Sequence, residues 1–512
     1  MKRFVFLWFV SLFALLPSSH AISSDFVSSA DNLEGTNAVI ASLSDIPQHS
    51  VDSFAQDSDV VDRILEMRFN NLNKPFDIDE SQPAKIANGT LSPLAPKLFR
   101  KFNAMGASGF APADPNIAVG PDRVVVVVNR SIAFFTKLGQ KVFQTTLRDF
   151  FGKLPDSDTI NILYPKAVYD PYNNHFLVVI EAVRSTDHKS WYFVAASKTS
   201  SPQGDWAFWE LNMSLNGQAK TGLYADYPGV GLDPQAIYLT GNMANFQNRF
   251  QYAKIRVLKK SEVYKFGKLT WHDFFNLTDA NGVKAISIQP AMTVGAATSE
   301  FLLSSNPTKG APLTLWNITN PTTNPVLSKK AVPVTTYSVP PDAPQKGGPL
   351  KINTGDASLG NVVFRDGIVY AAHTISKSFS TGPVSAIRFY EINTNGTVAQ
   401  EVTYGVSGTY FYFPITMVDS RGNVSVVFNR SSKGMAVGIA FTGRKPNDPP
   451  NTLQSNLTLQ PGMTYYHLTT ALVQLWGAYN GMALDYDDSI WMVSAFAKKA
   501  DEWGTIVGKV SY

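Results

Sequence analysis

The stretch Pro165-Lys-Ala-Val-Tyr-Asp-Pro-Tyr-Asn-Asn-His-Phe-Leu-Val-Val-Ile decides the fold. A proline opens a short apolar strand, Asp170 and Pro171 turn the chain, and Phe176 to Ile180 runs back as a second apolar strand. The pattern recurs along the chain. Other copies open at Pro115-Asn-Ile-Ala-Val-Gly, Pro228-Gly-Val-Gly-Leu-Asp and Pro290-Ala-Met-Thr-Val-Gly. They continue at Gly360-Asn-Val-Val-Phe-Arg-Asp, Pro414-Ile-Thr-Met-Val-Asp and Gly481-Met-Ala-Leu-Asp. Successive openings are 50 to 70 residues apart, room for one small antiparallel sheet per copy. Seven such copies predict an all-β, seven-bladed β-propeller over residues 96–512.

Second strands fall in register across the copies. Val124 to Val128, Ile237 to Thr240, Phe301 to Leu303, Ile368 to Ala371, Val424 to Phe428 and Ile490 to Val493 occupy the place of Phe176 to Ile180. Asp419-Ser-Arg-Gly-Asn and Asp485-Tyr-Asp-Asp-Ser look like metal loops, but Asp, Asn and Gly there fit hairpin turns. The last copy has room for only three strands. An open edge strand is a liability, so Leu98 to Asn103 is expected to close the last blade. Truncation to residue 95 should then be tolerated and truncation to 110 should not.

Upstream of the repeat, residues 1–21 read as an export signal. Lys2 and Arg3 precede the apolar run Phe4 to Leu16, and Ser19-His-Ala offers a cleavage site. The run is short for a bilayer span, which needs about 20 residues, and no later stretch is a candidate. A secreted, extracellular product is expected. Residues 22–95 form an acidic leader, twelve acids against three bases over 22–80, and its composition predicts a largely disordered segment. An amphipathic helix is possible around Val60 to Leu72. The basic residues of the body are scattered, which gives nucleic-acid binding little support.

The chain has no cysteine, which excludes disulfides, thiol catalysis and cysteine-ligated metals. Asn-x-Ser/Thr sequons stand at Asn88, Asn129, Asn212, Asn276, Asn317, Asn395, Asn423, Asn429 and Asn456, and they predict a glycoprotein.

Several segments are similar to the landmarks of a large family of exported, mostly bacterial propeller proteins. These are Pro112-Ala-Asp-Pro-Asn-Ile-Ala-Val-Gly-Pro, Asp226-Tyr-Pro-Gly-Val-Gly, Trp476-Gly-x-Tyr-x-Gly and Trp503-Gly-Thr-x-x-Gly. The resemblance covers nearly everything beyond residue 95. It implies a seven-bladed propeller and brings no settled activity. The family usually has Asp where this chain has Ala478, and an Asn-Glu pair near Ser494 and Ala495.

Registering the copies locates a site. The start of each first strand and the end of each second strand must meet at one channel mouth. That gathers Asp114, Asn116, Glu181, Asp226, Tyr227, Asn242, Asp356, His373 and Tyr479 as candidate ligand-binding residues. Asn129, Lys166, Asn306, Asn429, Ser494, Tyr412 and Asn480 stand at equivalent positions. A polar ring with interspersed aromatics suits a sugar or a cation. Asn and Asp at strand ends also cap turns, so a structural role competes at every position.

Catalytic signatures are missing. The chain has no His-Glu-x-x-His, no Gly-x-Ser-x-Gly elbow, no phosphate-cradling Gly-Lys-Ser loop and no sialidase Ser-x-Asp-x-Gly-x-x-Trp turn. Glu181 with Asp114, or Asp226 with Asp356, could supply the carboxyl pair of a glycosidase. The expectation is a non-enzymatic binder of a glycan or protein ligand. A carbohydrate-active hydrolase or lyase, and a scaffold holding Ca²⁺ in its channel, stand as alternatives. No other cofactor is indicated.

Overall fold

The computed structural model describes residues 27–49, 95–108, 110–157, 160–468 and 471–512. The export signal, the helix around Val60 to Leu72 and the Asn88 sequon lie outside the described residues.

The protein is all-β; the first six repeat copies fold as antiparallel four-stranded meanders and the last supplies three strands, while parallel pairs between innermost strands join units 3, 4 and 5 into one larger sheet. Unit 1 runs Asn116–Val119, Arg123–Val128, Ser131–Thr136 and Lys141–Thr146, each strand pairing with the next. Units 2 to 6 repeat the meander over residues 161–212, 223–275, 289–332, 359–404 and 410–460. The final sheet orders Gly481–Leu484, Ile490–Lys499 and Glu502–Ser511, with Lys97–Gly106 pairing antiparallel on its outer edge. The strand expected to close the last sheet is therefore in place.

Innermost strands of consecutive units lie against one another, and the last, Gly481–Leu484, lies against the first, Asn116–Val119. Both faces of a sheet are thereby covered, which is why Val124 to Val128 is apolar without alternation and fully buried. Each such valine contributes roughly 1.5–3 kcal/mol of burial. Between units 1 and 2 the packing is aromatic. Phe134, Phe150 and Trp206 meet with ring centroids 5.2 to 6.5 Å apart.

The turns expected at Asp419 and Asp485 are turns. Asp419 Oδ1 accepts the Arg421 and Asn423 amides, and Asp485 accepts the Tyr486 amide and the Trp491 indole N–H.

The leader differs from expectation wherever it is described. Ser28–Thr36 pairs antiparallel with Leu269–Phe275 at the outer edge of unit 3, and Val39–Ser42 pairs with Asp205–Asn212 at the edge of unit 2. Both sheets thus gain a fifth strand from the segment expected to be disordered. Asn32 Nδ2 donates to Gly217 O at 3.0 Å, and Asp31 meets His272 at 2.7 Å. Truncation to residue 95 would uncover two sheet edges, so the tolerance expected of it no longer follows.

Candidate functional site

Four units carry the same strained turn before a proline, ahead of the innermost strand in unit 1 and within it in units 2, 3 and 6. Asp114, Tyr164, Tyr227 and Phe413 each precede a proline with positive φ, 43, 53, 59 and 54°. Register shifts follow at Leu163/Lys166, Asp226/Gly229 and Tyr412/Ile415. Left-handed backbone is costly for residues with a Cβ, and such strain clusters at functional sites.

The entry is held by the neighbouring unit. Asn129 Oδ1 accepts the Tyr164 amide at 2.9 Å, Asn242 Oδ1 the Ser287 amide at 2.8 Å, and Thr374 Oγ1 the Phe413 amide at 3.1 Å. Asn129 Nδ2 donates to Pro112 O and to Asp114 Oδ2. Asn116 Oδ1 accepts the Ala167 amide, while Asn480 Nδ2 donates to Phe413 O and Asn429 Oδ1. Much of the expected polar ring is therefore stitching between units. Asn242 engages Ser287 through both its amide oxygen and its amide nitrogen, and Asn116 Oδ1 is taken by the Ala167 amide, so both hold neighbouring units together.

Two further candidates are also occupied. His373 is fully buried, with Nδ1 2.7 Å from Ala357 O and Nε2 3.1 Å from the Tyr390 hydroxyl. Burial pushes its pKa down to about 3, so it stays neutral. Asp356 Oδ1 caps the Ser358 amide.

What remains converges on Tyr479. Its ring stacks on Tyr227 at 5.1 Å and 27°, meets Tyr164 edge-on at 6.0 Å, and carries Lys166 Nζ 3.2 Å from its centroid. Asp114, Glu181 and Asp226 are close enough that, with burial first, they raise the Tyr479 pKa well above the ordinary phenol value. The Tyr479 hydroxyl is buried without a hydrogen-bond partner. Lys166 is nearly fully buried and its ammonium makes no hydrogen bond or ion pair with a described residue. Desolvation lowers its pKa to about 7 despite the opposing charge of Asp114. The backbone amide of Ala478, where the resembled family carries Asp, donates to Asp114 Oδ1 at 2.8 Å.

The site is a largely buried cluster of three carboxylates, one amine and three tyrosines. Asp226 and Tyr227 are its partly exposed members. Sequence register found Asp114, Lys166, Glu181, Asp226, Tyr227 and Tyr479. It missed Tyr164, although the aromatic-Pro pairs Tyr164-Pro165, Tyr227-Pro228 and Phe413-Pro414 repeat visibly. Among the described residues, no group of three or more His, Asp and Glu is placed to hold a metal ion.

The sequons divide by burial. Asn129, Asn423 and Asn429 are buried with their amide nitrogens donating, which leaves no room for a glycan. Asn276 and Asn395 are exposed.

The fold and this cluster define a repeat-built all-β protein with a polar, aromatic-lined mouth. No family model matches the sequence, and no curated protein matches it. Solved structures resemble it distantly. A Trypanosoma rangeli sialidase mutant with trans-sialidase activity aligns at 9% identity and TM-score 0.36, over 67% of this chain and 53% of that one. The chain thus spans about half of that sialidase. An exo-1,5-α-L-arabinanase from a bovine ruminal metagenomic library aligns at 10% identity and TM-score 0.32, over 67% and 96%. A protein of unknown function from Dyadobacter fermentans aligns at 9% and 0.32, over 66% and 76%. Similarity this low carries no argument about activity.

Proposed function

We propose that the chain is an exported seven-bladed β-propeller that binds a glycan at its channel mouth without turning it over. The ring is supported by the succession of innermost strands, the last lying against the first. The observation that carries the function is the stacked Tyr227–Tyr479 pair flanked by Asp226, Glu181, Asp114 and Lys166. A sugar presents an apolar face to an aromatic ring and hydroxyls to charged groups around it, and the partly exposed Tyr227 and Asp226 offer one of each. The buried, unpartnered Tyr479 hydroxyl is a donor whose desolvation a ligand oxygen would offset.

Glycan-array binding of the purified protein tests the reading. Tyr227→Ala and Asp226→Asn should each weaken the best glycan at least tenfold. Binding that survives both removes the mouth as the site. Turnover of a polysaccharide that disappears with Glu181→Gln replaces the binder by a hydrolase or lyase.

A further inference from the structure

A cleft of about 470 Å³ opens on unit 6, and none of the candidate residues of the mouth lines it. Its walls come from strand Val424–Ser432, strand Met435–Arg444, strand Leu457–Gln460 and the segments around Lys346 and Tyr465. Two glycines make it possible. A Cβ on Gly438 would lie 2.7 Å from Gln460 O, and one on Gly462 would lie 2.4 Å from Val437 O, so only bare backbone lets these segments close on one another.

The charge on this cleft is one-sided. Arg430 and Lys346 line it, and no Asp or Glu does. Arg430 is half-buried, and its guanidinium meets only neutral acceptors, Asn456 Oδ1 at 2.5 Å and Thr458 Oγ1. Burial lowers its pKa from the ordinary guanidinium value. Neither cation has a carboxylate partner among the described residues. A guanidinium withdrawn from water without a counter-charge is unfavourable, and an oxyanion with two or more acceptor oxygens would relieve it. Met435, Met463 and Tyr465 supply apolar surface beside the two cations, and Met463 is 67% exposed.

We propose that the unit 6 cleft is a second binding site, for a small organic oxyanion, a carboxylate or sulfate ester carried on a sugar-sized body. Arg430 and Lys346 hold the oxyanion and Tyr465 and the methionines cover the body. The cleft shares no lining residue with the mouth, where three carboxylates and one amine gather around Tyr479.

Thermal-shift titration of the full chain tests this with glucuronate, N-acetylglucosamine 6-sulfate and inorganic sulfate at matched ionic strength. A saturable rise in melting temperature with either sugar, larger than with inorganic sulfate, is expected. Lys346→Gln, a change at an exposed side chain, should weaken binding at least tenfold, and Arg430→Gln at least as much. Lys433→Gln, an exposed lysine outside the cleft lining, should leave it unchanged. No shift with either sugar overturns the proposal, as does inorganic sulfate matching the sugars or equal weakening by Lys433→Gln.

Discussion

Lys166 and Lys254 are both buried, and burial depresses both to about 7, yet their surroundings differ completely. Lys254, in the third strand of unit 3, donates to Met213 O at 2.8 Å and Leu215 O at 2.7 Å. Beside it Arg256 forks onto Asp273 at 2.8 and 2.9 Å and reaches Asn212 O and Leu215 O. Asp273 accepts the Gly217 amide, whose carbonyl accepts Asn32 from the leader strand. Lys254 is thus part of a hub joining the leader, the tail of unit 2 and the outer half of unit 3. Lys166 has a tyrosine face under it, and no described residue accepts a hydrogen bond from its ammonium. A buried amine with carbonyls to satisfy it is architecture. One without them keeps its hydrogen-bonding capacity for something that arrives from outside.

The hub should show the largest response. Arg256→Met leaves Asp273 buried without its counter-charge, and breaking such a pair costs about 3–5 kcal/mol. Urea unfolding at pH 7 measures it. A loss under about 1 kcal/mol would mean that water reaches the hub and that the contrast with the mouth is not one of burial. Lys254→Met comes next. It keeps the side-chain volume and removes the donor from two carbonyls while also removing a buried charge, so a net loss of about 2 kcal/mol is expected by the same measurement. Asn32→Ala removes a single buried hydrogen bond to Gly217, together with the cap that Asn32 Oδ1 gives the Gly35 amide, and should cost about 1 kcal/mol. If it costs nothing, the leader strand is held by backbone pairing alone and lies outside the hub.

The sequence discloses these two regions unequally. The mouth was found by register, because Asp226, Tyr227 and Tyr479 stand at repeat positions, and a repeat turns sequence spacing into spatial position. What register could not show was which polar residues were already spent. Asn129 and Asn242 carry the same chemistry as ligand-binding amides, and only the backbone amides of Tyr164 and Ser287 opposite them reveal the difference. The hub was not legible at all. Ser28–Thr36 reads Ser-Ser-Ala-Asp-Asn-Leu-Glu-Gly-Thr, without alternation or β-branched enrichment, because an outermost strand buries little and is held by ladder hydrogen bonds to Leu269–Phe275. Lys97–Gly106 on the last sheet was anticipated from topology, since the final copy was visibly a strand short. Units 2 and 3 were already complete with four strands, so nothing in the repeat asked for a fifth.

Lys166→Met should cost least at neutral pH and is the sharpest test of the comparison. The ammonium of Lys166 makes no hydrogen bond with a described residue, and methionine can lie over the Tyr479 ring, so stability at pH 7 should not fall and should rise as the buried charge is removed. Its pH dependence carries the signature of burial. The folded pKa of about 7 lies below the ordinary value of 10.5, so between those limits the unfolded chain binds more protons and stability rises with pH. Below pH 7 both states are protonated and the cost of burying the charge is fully present. Removing the amine should flatten the rise between about pH 7 and 10 by up to about 1.4 kcal/mol per pH unit, one proton's worth. Lys254→Met should flatten it equally, since that amine is depressed as far, while starting from a lower stability at pH 7. Urea unfolding of the three proteins at pH 7, 8 and 9 separates the cases. Equal flattening with unequal stability at pH 7 places Lys254 in the architecture and Lys166 in the site. A loss at pH 7 in Lys166→Met as large as that in Lys254→Met would show that the mouth lysine also holds the fold together, and the site would lose its free amine.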